Sequence, residues 1–296
     1  MKRTPAPTTS QANAVFLFTA VVTLVGSVLL QPRIGFGANL WVNEYVYILL
    51  PALLLAWLNR WPLDTTYKLR GTSRRNRLIS LLAGVSLWIT AAYLSKVGKL
   101  LLDRWFGVMP VDEAAQSVSA SPYQIILLMI GAVVLAPICE EIMFRGFIQT
   151  AYERYSPTYG YLITGILFGA YHVLNGVSEV IPASVLGVGM GFLVSRTGSL
   201  SSSMLFHAAA NLSAAFLGPA LGLSAAGPPP SWTHLAAPVS LVLALLLLRS
   251  VDRQPGRDGL TGGDERTPLK GVVFLTLTIL YLLAMGIMEI VARLRQ

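Results

Sequence analysis

The sequence predicts an all-α, polytopic membrane protein: a bundle of about nine transmembrane helices, with eight as the alternative count. Three observations support this prediction: 54% of the 296 residues are hydrophobic, only 12% are charged, and the mean hydropathy is +0.62. Soluble domains carry about 25% charged residues, so a soluble fold is excluded. A helix needs roughly 20 apolar residues to cross a hydrocarbon layer of about 30 Å, and the chain repeats runs of that order.

The apolar runs define the predicted spans in chain order. They lie at 13–30, 41–59, 78–101, 123–150, 158–174, 180–195, 199–218, 234–250 and 271–291. We expect three regions: two spans with a basic loop (1–77), a catalytic helical core (78–218) and an appended pair of spans away from any reaction centre (219–296). Most intramembrane polar groups fall in spans four to seven, which are expected to form the active site.

The basic residues predict how the bundle sits in the membrane. Of the 22 Lys and Arg residues, sixteen fall in segments on the same side as the N-terminus and six on the other side. The positive-inside rule then places the N-terminus in the cytoplasm and the C-terminus outside, which an odd number of spans requires. The net charge of +8 does not indicate a nucleic-acid partner, because the basic residues lie between apolar runs and form no known binding motif.

The fourth run contains the stretch APICEEIMFRGF, residues 136–147, with three full charges. Successive helical residues point about 100° apart, so only one of Glu140 and Glu141 can face a given cavity. Arg145 lies one turn after Glu141, which predicts an ion pair between them and leaves Glu140 facing the bundle interior. Pro137 cannot donate a backbone hydrogen bond, so a bend is expected here, with the Val133 carbonyl freed.

Two of the three histidines lie inside apolar runs. Phe168 and His172 are one turn apart in FGAYH, and His207 and Asn211 are one turn apart in HAAAN. Ionisable groups at membrane depth are costly and are read as functional by default. Counted along the helices at 1.5 Å per residue, His172 lies about 20 Å into its run, deeper than Glu140 and His207, so we expect its helix to begin early or to tilt.

The residues leave two hydrolytic chemistries open. In the metal-free version, Glu140 draws a proton from a water that His172 also orients, while His207 and Asn211 donate hydrogen bonds to the oxygen of a tetrahedral intermediate. In the metal-dependent version, Glu140, His172 and His207 are the ligands of a divalent ion, with zinc the first candidate. The HExxH zinc signature is absent from the sequence.

The ordered set EEIMFR, FGAYH and HAAAN resembles the motifs E-E-x-x-x-R, F-x-x-x-H and H-x-x-x-N of the CPBP family (also called Abi), the CAAX-protease and bacteriocin-processing intramembrane endopeptidases, which include the Ras-converting enzymes. The resemblance covers roughly residues 120–218. It implies that Glu140 and His172 activate water, that His207 and Asn211 stabilise the oxyanion or help to hold a metal, and that Glu141 and Arg145 support them. Phe168 occupies the first position of the second motif.

The same resemblance implies a protein or peptide substrate, with or without a lipid group, and a bacterial plasma membrane as the expected location. Two other classes of membrane protein would also place Glu and His at membrane depth: an ion- or proton-coupled transporter, and a non-catalytic immunity or scaffold protein. A transporter needs alternate access from both sides of the membrane, whereas an intramembrane protease needs a lateral opening between helices that admits a peptide.

Overall fold

The predicted fold class is confirmed: the computed structural model describes residues 6–109, 121–224, 227–253 and 269–295, and these form a helical bundle without strands. Nine main helices follow the nine apolar runs. They are α1 (Thr9–Ile34), α2 (Phe36–Leu58), α3 (Arg74–Phe106), α4 (Pro122–Tyr155), α5 (Gly160–Tyr171), α6 (Val180–Thr197), α7 (Leu200–Ala220), α8 (Thr233–Arg249) and α9 (Leu269–Leu294). A short helix, Leu63–Thr66, lies in the basic loop.

The span count differs from the predicted nine when length is the criterion. Seven helices among the described residues are long and apolar enough to cross a membrane, and the two that fall short are α5 and α8. α5 has 12 residues and continues into a 3₁₀ turn, His172–Asn175, so together they extend about 26 Å. α8 has 17 residues and extends about 25 Å. Both still connect the two ends of the bundle.

Hydrogen bonds between helix ends define one end of the bundle, here called the basic end. The Asn13 side chain donates to the Gly271 carbonyl, and Lys68 pairs with Glu153 at 2.8 Å. Arg145 was also counted as cytoplasmic, but it is buried within the bundle. The other described basic residues that the charge count assigned to the cytoplasm lie at this end: Arg60, Lys68, Arg70, Arg74, Arg75, Arg77, Arg154, Arg196, Arg249, Arg253 and Lys270.

The opposite end, here called the far end, is joined in the same way. Arg293 pairs with Asp103 at 2.7 Å, and Gln124 donates to the Ile34 carbonyl at 2.8 Å. The two last helices are not confined to one side of the bundle: α8 packs mainly on α3, and α9 packs mainly on α1. The backbone N–H of Val177 donates to the Glu289 carboxylate at 2.6 Å, so α9 also contacts the turn that follows His172.

Prolines within α2 and α4 come just after π-helical segments. Pro51 cannot donate to the carbonyl four residues earlier, Tyr47, and the Thr19 hydroxyl donates to it instead at 2.9 Å. In α4 the π-helical segment Gly131–Leu135 precedes Pro137, as the predicted bend requires. The carbonyl with a new partner here is that of Ala132, whereas the Val133 carbonyl was expected to be the freed one.

α3, α6 and α7 pack around the middle of the bundle and form the frame of the site. Gly84 allows α3 to approach α7 closely, because a Cβ at this position would lie 2.3 Å from the Phe206 carbonyl oxygen. α5 packs against α6 more extensively than any other described pair of helices pack. The motif residues on α4, α5 and α7 are therefore held by helices whose spacing is fixed by close backbone contact.

Candidate functional site

The Glu141–Arg145 ion pair predicted from the sequence is present and fully buried. The Arg145 Nη1 atom donates to Glu141 Oε1 at 2.8 Å, and both side chains are 0% exposed. The second guanidinium nitrogen, Nη2, donates to the Gly187 carbonyl at 3.0 Å on α6. Arg145 therefore neutralises an acid on its own helix and fastens α4 to α6 at the same time.

The sequence analysis assigned Glu141 to the ion pair alone, so we expected its side chain to point away from the site. The structure shows that it contacts the site. Its Oε1 atom also lies 3.1 Å from Nδ1 of His207. A carboxylate beside Arg145 accepts hydrogen bonds only, so we assign the proton of this contact to the histidine nitrogen. One oxygen atom of Glu141 thus accepts hydrogen bonds from both Arg145 and His207. This contact fixes the His207 ring with its Nε2 atom directed away from Glu141.

Glu140 lies on the other side of His207. The Glu140 Oε2 atom is 3.9 Å from His207 Nε2, and Glu140 is 9% exposed. Its Oε2 atom has no hydrogen-bond partner among the described residues although it is buried. The distance is too long for a direct hydrogen bond between the two groups.

Phe168 connects the two histidines and the arginine. Its ring centroid lies 4.5 Å from that of His172 and 5.8 Å from that of His207, and the Arg145 guanidinium lies 4.3 Å above the ring. This cation–π contact adds to the ion pair in holding Arg145. Phe168 is 2% exposed and borders the cavity described below. Its ring thus contacts Arg145, His172 and His207 but neither of the two glutamates.

His172 is held by its own helix. Its Nδ1 atom lies 2.8 Å from the Phe168 carbonyl oxygen, which can only accept, so the proton is again on Nδ1 and Nε2 is free to accept one. The expected early start of the His172 helix is not observed, because α5 begins at Gly160. The ring of Phe168 nevertheless contacts both His172 and His207, so the two histidines lie near one another.

Asn211 contributes an amide that is partly engaged. Its Nδ2 atom donates one hydrogen bond, of 2.7 Å, to the Ala132 carbonyl in the π-helical segment of α4. The second N–H of the amide stays available, and Asn211 lines the cavity. The Asn211 amide thus provides a hydrogen-bond donor for a carbonyl in the π-helical segment of α4. This contact gives a reason for a polar side chain at this position of α7.

These groups border a cavity of about 280 Å³ between α3, α6 and α7. His172, His207 and Asn211 line it together with apolar residues such as Trp88 and Met190. Glu140 is not one of the lining residues and lies behind His207. Glu179 is the one charged lining residue besides the histidines, and no Lys or Arg of the described chain lines the cavity.

The metal-dependent alternative finds little support in this arrangement. No group of three His, Cys, Asp or Glu side chains among the described residues is positioned to hold a metal ion. Of the three candidate ligands, Glu140 and His207 are near one another. His172 does not join them in a group that could bind one metal ion. We therefore derive no step of the reaction through a metal.

Two acidic residues near the site escaped the sequence analysis. Glu44 in α2 is 1% exposed, lies in the π-helical segment Asn43–Leu49, and this segment packs against the part of α4 that holds Glu140. Its position inside an apolar run is the signal that could have identified it. Glu179 follows His172 by seven residues in a segment without periodicity, and nothing in the sequence placed it in the cavity.

Comparison with known proteins agrees with the motif assignment. Residues 122–213 match the family described as Type II CAAX prenyl endopeptidase, Rce1-like. No curated protein and no solved structure matches the chain. The matched segment contains α4, α5, α6 and the first two thirds of α7, and with them every residue of the three motifs. Residues 122–213, about a third of the chain, are thus similar to the Rce1-like CAAX prenyl endopeptidase family, and the similarity covers the segment that holds the candidate site.

Proposed function

We propose that this protein is an intramembrane endopeptidase that hydrolyses a peptide bond of a membrane-associated protein with a water molecule activated by Glu140. The observation that carries the proposal is the buried, unpartnered Oε2 atom of Glu140, 3.9 Å from His207 Nε2. A carboxylate in a water-poor pocket is a strong base toward a water held beside it. His172 lines the neighbouring cavity, and its unprotonated Nε2 atom is proposed to orient that water from the cavity side.

The contacts of His207 support a donor role in this proposal. The imidazole lies between two buried carboxylates, with Nδ1 3.1 Å from Glu141 Oε1 and Nε2 3.9 Å from Glu140 Oε2. With Nδ1 donating to Glu141, Nε2 is the atom left to face the reacting carbonyl, and in the protonated form that the proposed mechanism requires it donates to the oxyanion. Glu141 is then the positioning residue that holds the ring.

The reaction proceeds in two steps on these groups. Water adds to the carbonyl carbon as Glu140 takes one of its protons, and the new oxyanion receives hydrogen bonds from His207 Nε2–H and the second amide N–H of Asn211. The intermediate then collapses, the C–N bond breaks, and Glu140 returns the proton to the leaving amine. No covalent enzyme intermediate and no cofactor are required.

The motif match, rather than the opening of the cavity, favours a protease over a carrier. The basic end is covered by packed loop residues, and the cavity reaches the other end of the bundle. The apolar residues that line the cavity are compatible with a lipidated substrate. We propose that the protein acts in a lipid bilayer.

The test is a peptide-library digestion with purified protein in detergent, read by mass spectrometry. Cleavage by the wild-type protein and its loss in Glu140→Gln and His207→Gln support the proposal, as does activity that survives removal of bound metal by a chelator. Failure of the wild-type protein to cleave any library member, or full inactivation by the chelator with recovery on adding zinc, contradicts it.

A further inference from the structure

The cavity has one closed and one open end. At its inner end His207 is 6% exposed. At its outer end the lining residues are Ser95, Glu179 and Ser224, of which Ser95 and Glu179 are partly exposed and Ser224 is exposed. All three lie at the far end of the bundle, since Ser95 and Glu179 hydrogen-bond to each other there and Ser224 follows the end of α7. The cavity therefore opens at the far end.

The basic end is covered over the same helices. The carbonyl of Lys68 accepts the N–H of Leu200, and the carbonyl of Arg70 accepts the Ser199 hydroxyl, so the loop lies across the turn between α6 and α7. Tyr67 in this loop is 0% exposed and donates to the Ala52 carbonyl at 2.5 Å. A peptide at this end would have to displace a packed, hydrogen-bonded loop to reach His207.

The charges then decide which side of the membrane the opening faces. Basic loops stay in the cytoplasm, and the described basic residues concentrate at the covered end. The far end has few described basic residues, and two of these are held by other groups: Arg293 pairs with Asp103, and Lys96 donates to the Gly222 carbonyl. The open end is the one that faces away from the cytoplasm.

We propose that the scissile peptide reaches the site from the extracytoplasmic face, so that the substrate is an exported or membrane-anchored polypeptide with its cleaved segment outside the cytoplasm. The inference rests on the proposed function only in taking the ligand to be a peptide. The side of the membrane from which the cavity is reached does not depend on the reaction. A tail of a cytoplasmic protein would have to displace the packed loop of the basic end to reach His207.

Cysteine labelling tests the side of access on intact bacterial cells. The single cysteine, Cys139, is 0% exposed, so the natural chain serves as the unlabelled background. Ser224→Cys places a thiol at the mouth of the cavity, and Thr65→Cys places one on an exposed residue of the basic end. A membrane-impermeant maleimide is expected to label Ser224→Cys in intact cells and Thr65→Cys only after permeabilisation. The reverse pattern overturns the proposal.

Cleavage provides the second arm. Membrane vesicles of both orientations receive an impermeant fluorogenic peptide chosen from the library digestion. Right-side-out vesicles are expected to cleave it at least about tenfold faster than inside-out vesicles, and detergent should equalise the rates. Faster cleavage by inside-out vesicles refutes the side of access while leaving the hydrolysis intact. No cleavage even in detergent refutes the proposed function itself.

The charge of the mouth carries a second inference, on specificity. Glu179 Oε1 accepts the Ser95 hydroxyl at 2.5 Å, which fixes the carboxylate, and no described basic residue lines the cavity. We infer that Glu179 is a specificity residue that favours a basic substrate residue at the mouth and disfavours an acidic residue or a free carboxylate there. Two unit charges a few ångströms apart near a protein surface interact strongly enough for about a tenfold preference.

A charge exchange tests this second inference. Matched peptides carry Lys, Gln or Glu at successive positions on either side of the cleaved bond, and kcat/KM is measured for each. At one position the wild-type protein should favour Lys over Glu by about tenfold or more. Glu179→Lys should reverse that preference, and Asp64→Lys, an equal charge change at the basic end, should not. An unchanged preference in Glu179→Lys rules the inference out.

Discussion

Removing the Glu141 charge tests whether the buried ion pair both stabilises the fold and holds His207. Glu141→Gln keeps the size of the side chain and an oxygen that can accept from His207 Nδ1, but it leaves the Arg145 guanidinium without its carboxylate partner. Both residues are 0% exposed, so water cannot replace the lost charge. Breaking a buried pair by removing one partner costs about 3–5 kcal/mol. On the scale of about 2–4 °C per kcal/mol, the unfolding temperature should fall by roughly 6–20 °C.

The assay is thermal unfolding of purified protein in one detergent, with Arg75→Ala as the matched control. Arg75 pairs with Asp252, but both side chains are more than half exposed, so this loss should cost less than about 1 kcal/mol. An unfolding temperature for Glu141→Gln as high as that of the control would refute the reasoning.

A double variant separates stability from catalysis. In Glu141→Leu with Arg145→Met, both charges are replaced by apolar side chains of similar length, and such replacements are often neutral for stability. We expect the unfolding temperature to recover most of the loss. Turnover should stay low, because His207 Nδ1 no longer has an acceptor. Full recovery of turnover would mean that Glu141 acts only through Arg145.

Three further variants test other parts of the account. Asn211→Leu removes the amide that donates to the Ala132 carbonyl and to the oxyanion, so kcat should fall about 10²–10³-fold with little change in KM, measured by steady-state kinetics. Glu289→Ala removes the acceptor of the Val177 N–H, and protection of that amide against hydrogen exchange should decrease; equal protection contradicts the contact. Gly84→Ala brings a Cβ to 2.3 Å from the Phe206 carbonyl and should lower the unfolding temperature, whereas Gly71→Ala, whose Cβ would make only an ordinary contact of 3.8 Å with the Arg77 side chain, should not.

The fold class and the ion pair were predictable because each depends on local sequence. Apolar runs long enough to span a membrane indicate helices directly, and residues four apart on a helix meet, which is why Glu141 and Arg145 pair as expected. The three motifs likewise identified the helices that form the site, and the family comparison covers the same segment.

The remaining features depend on packing between distant segments, which no local pattern encodes. Glu141 was assigned to Arg145 alone because helical geometry describes one helix at a time, whereas the contact with His207 depends on how α7 is placed against α4. The Ala132 carbonyl received a partner because of a π-helical segment whose position the proline alone does not fix. Glu179 joined the cavity through the approach of α6 to α3, and the end at which the cavity opens follows from the loop that covers the other end.

The central claim is that Glu140 is the base that activates water. Its most direct test compares turnover of one peptide by the wild-type protein and by Glu140→Gln, with unfolding temperatures measured on the same samples. The account predicts a loss of at least about a hundredfold in turnover, the scale of a lost general base, with an unfolding temperature no lower than that of the wild type. Turnover within a fewfold of the wild type in a folded Glu140→Gln protein would contradict it.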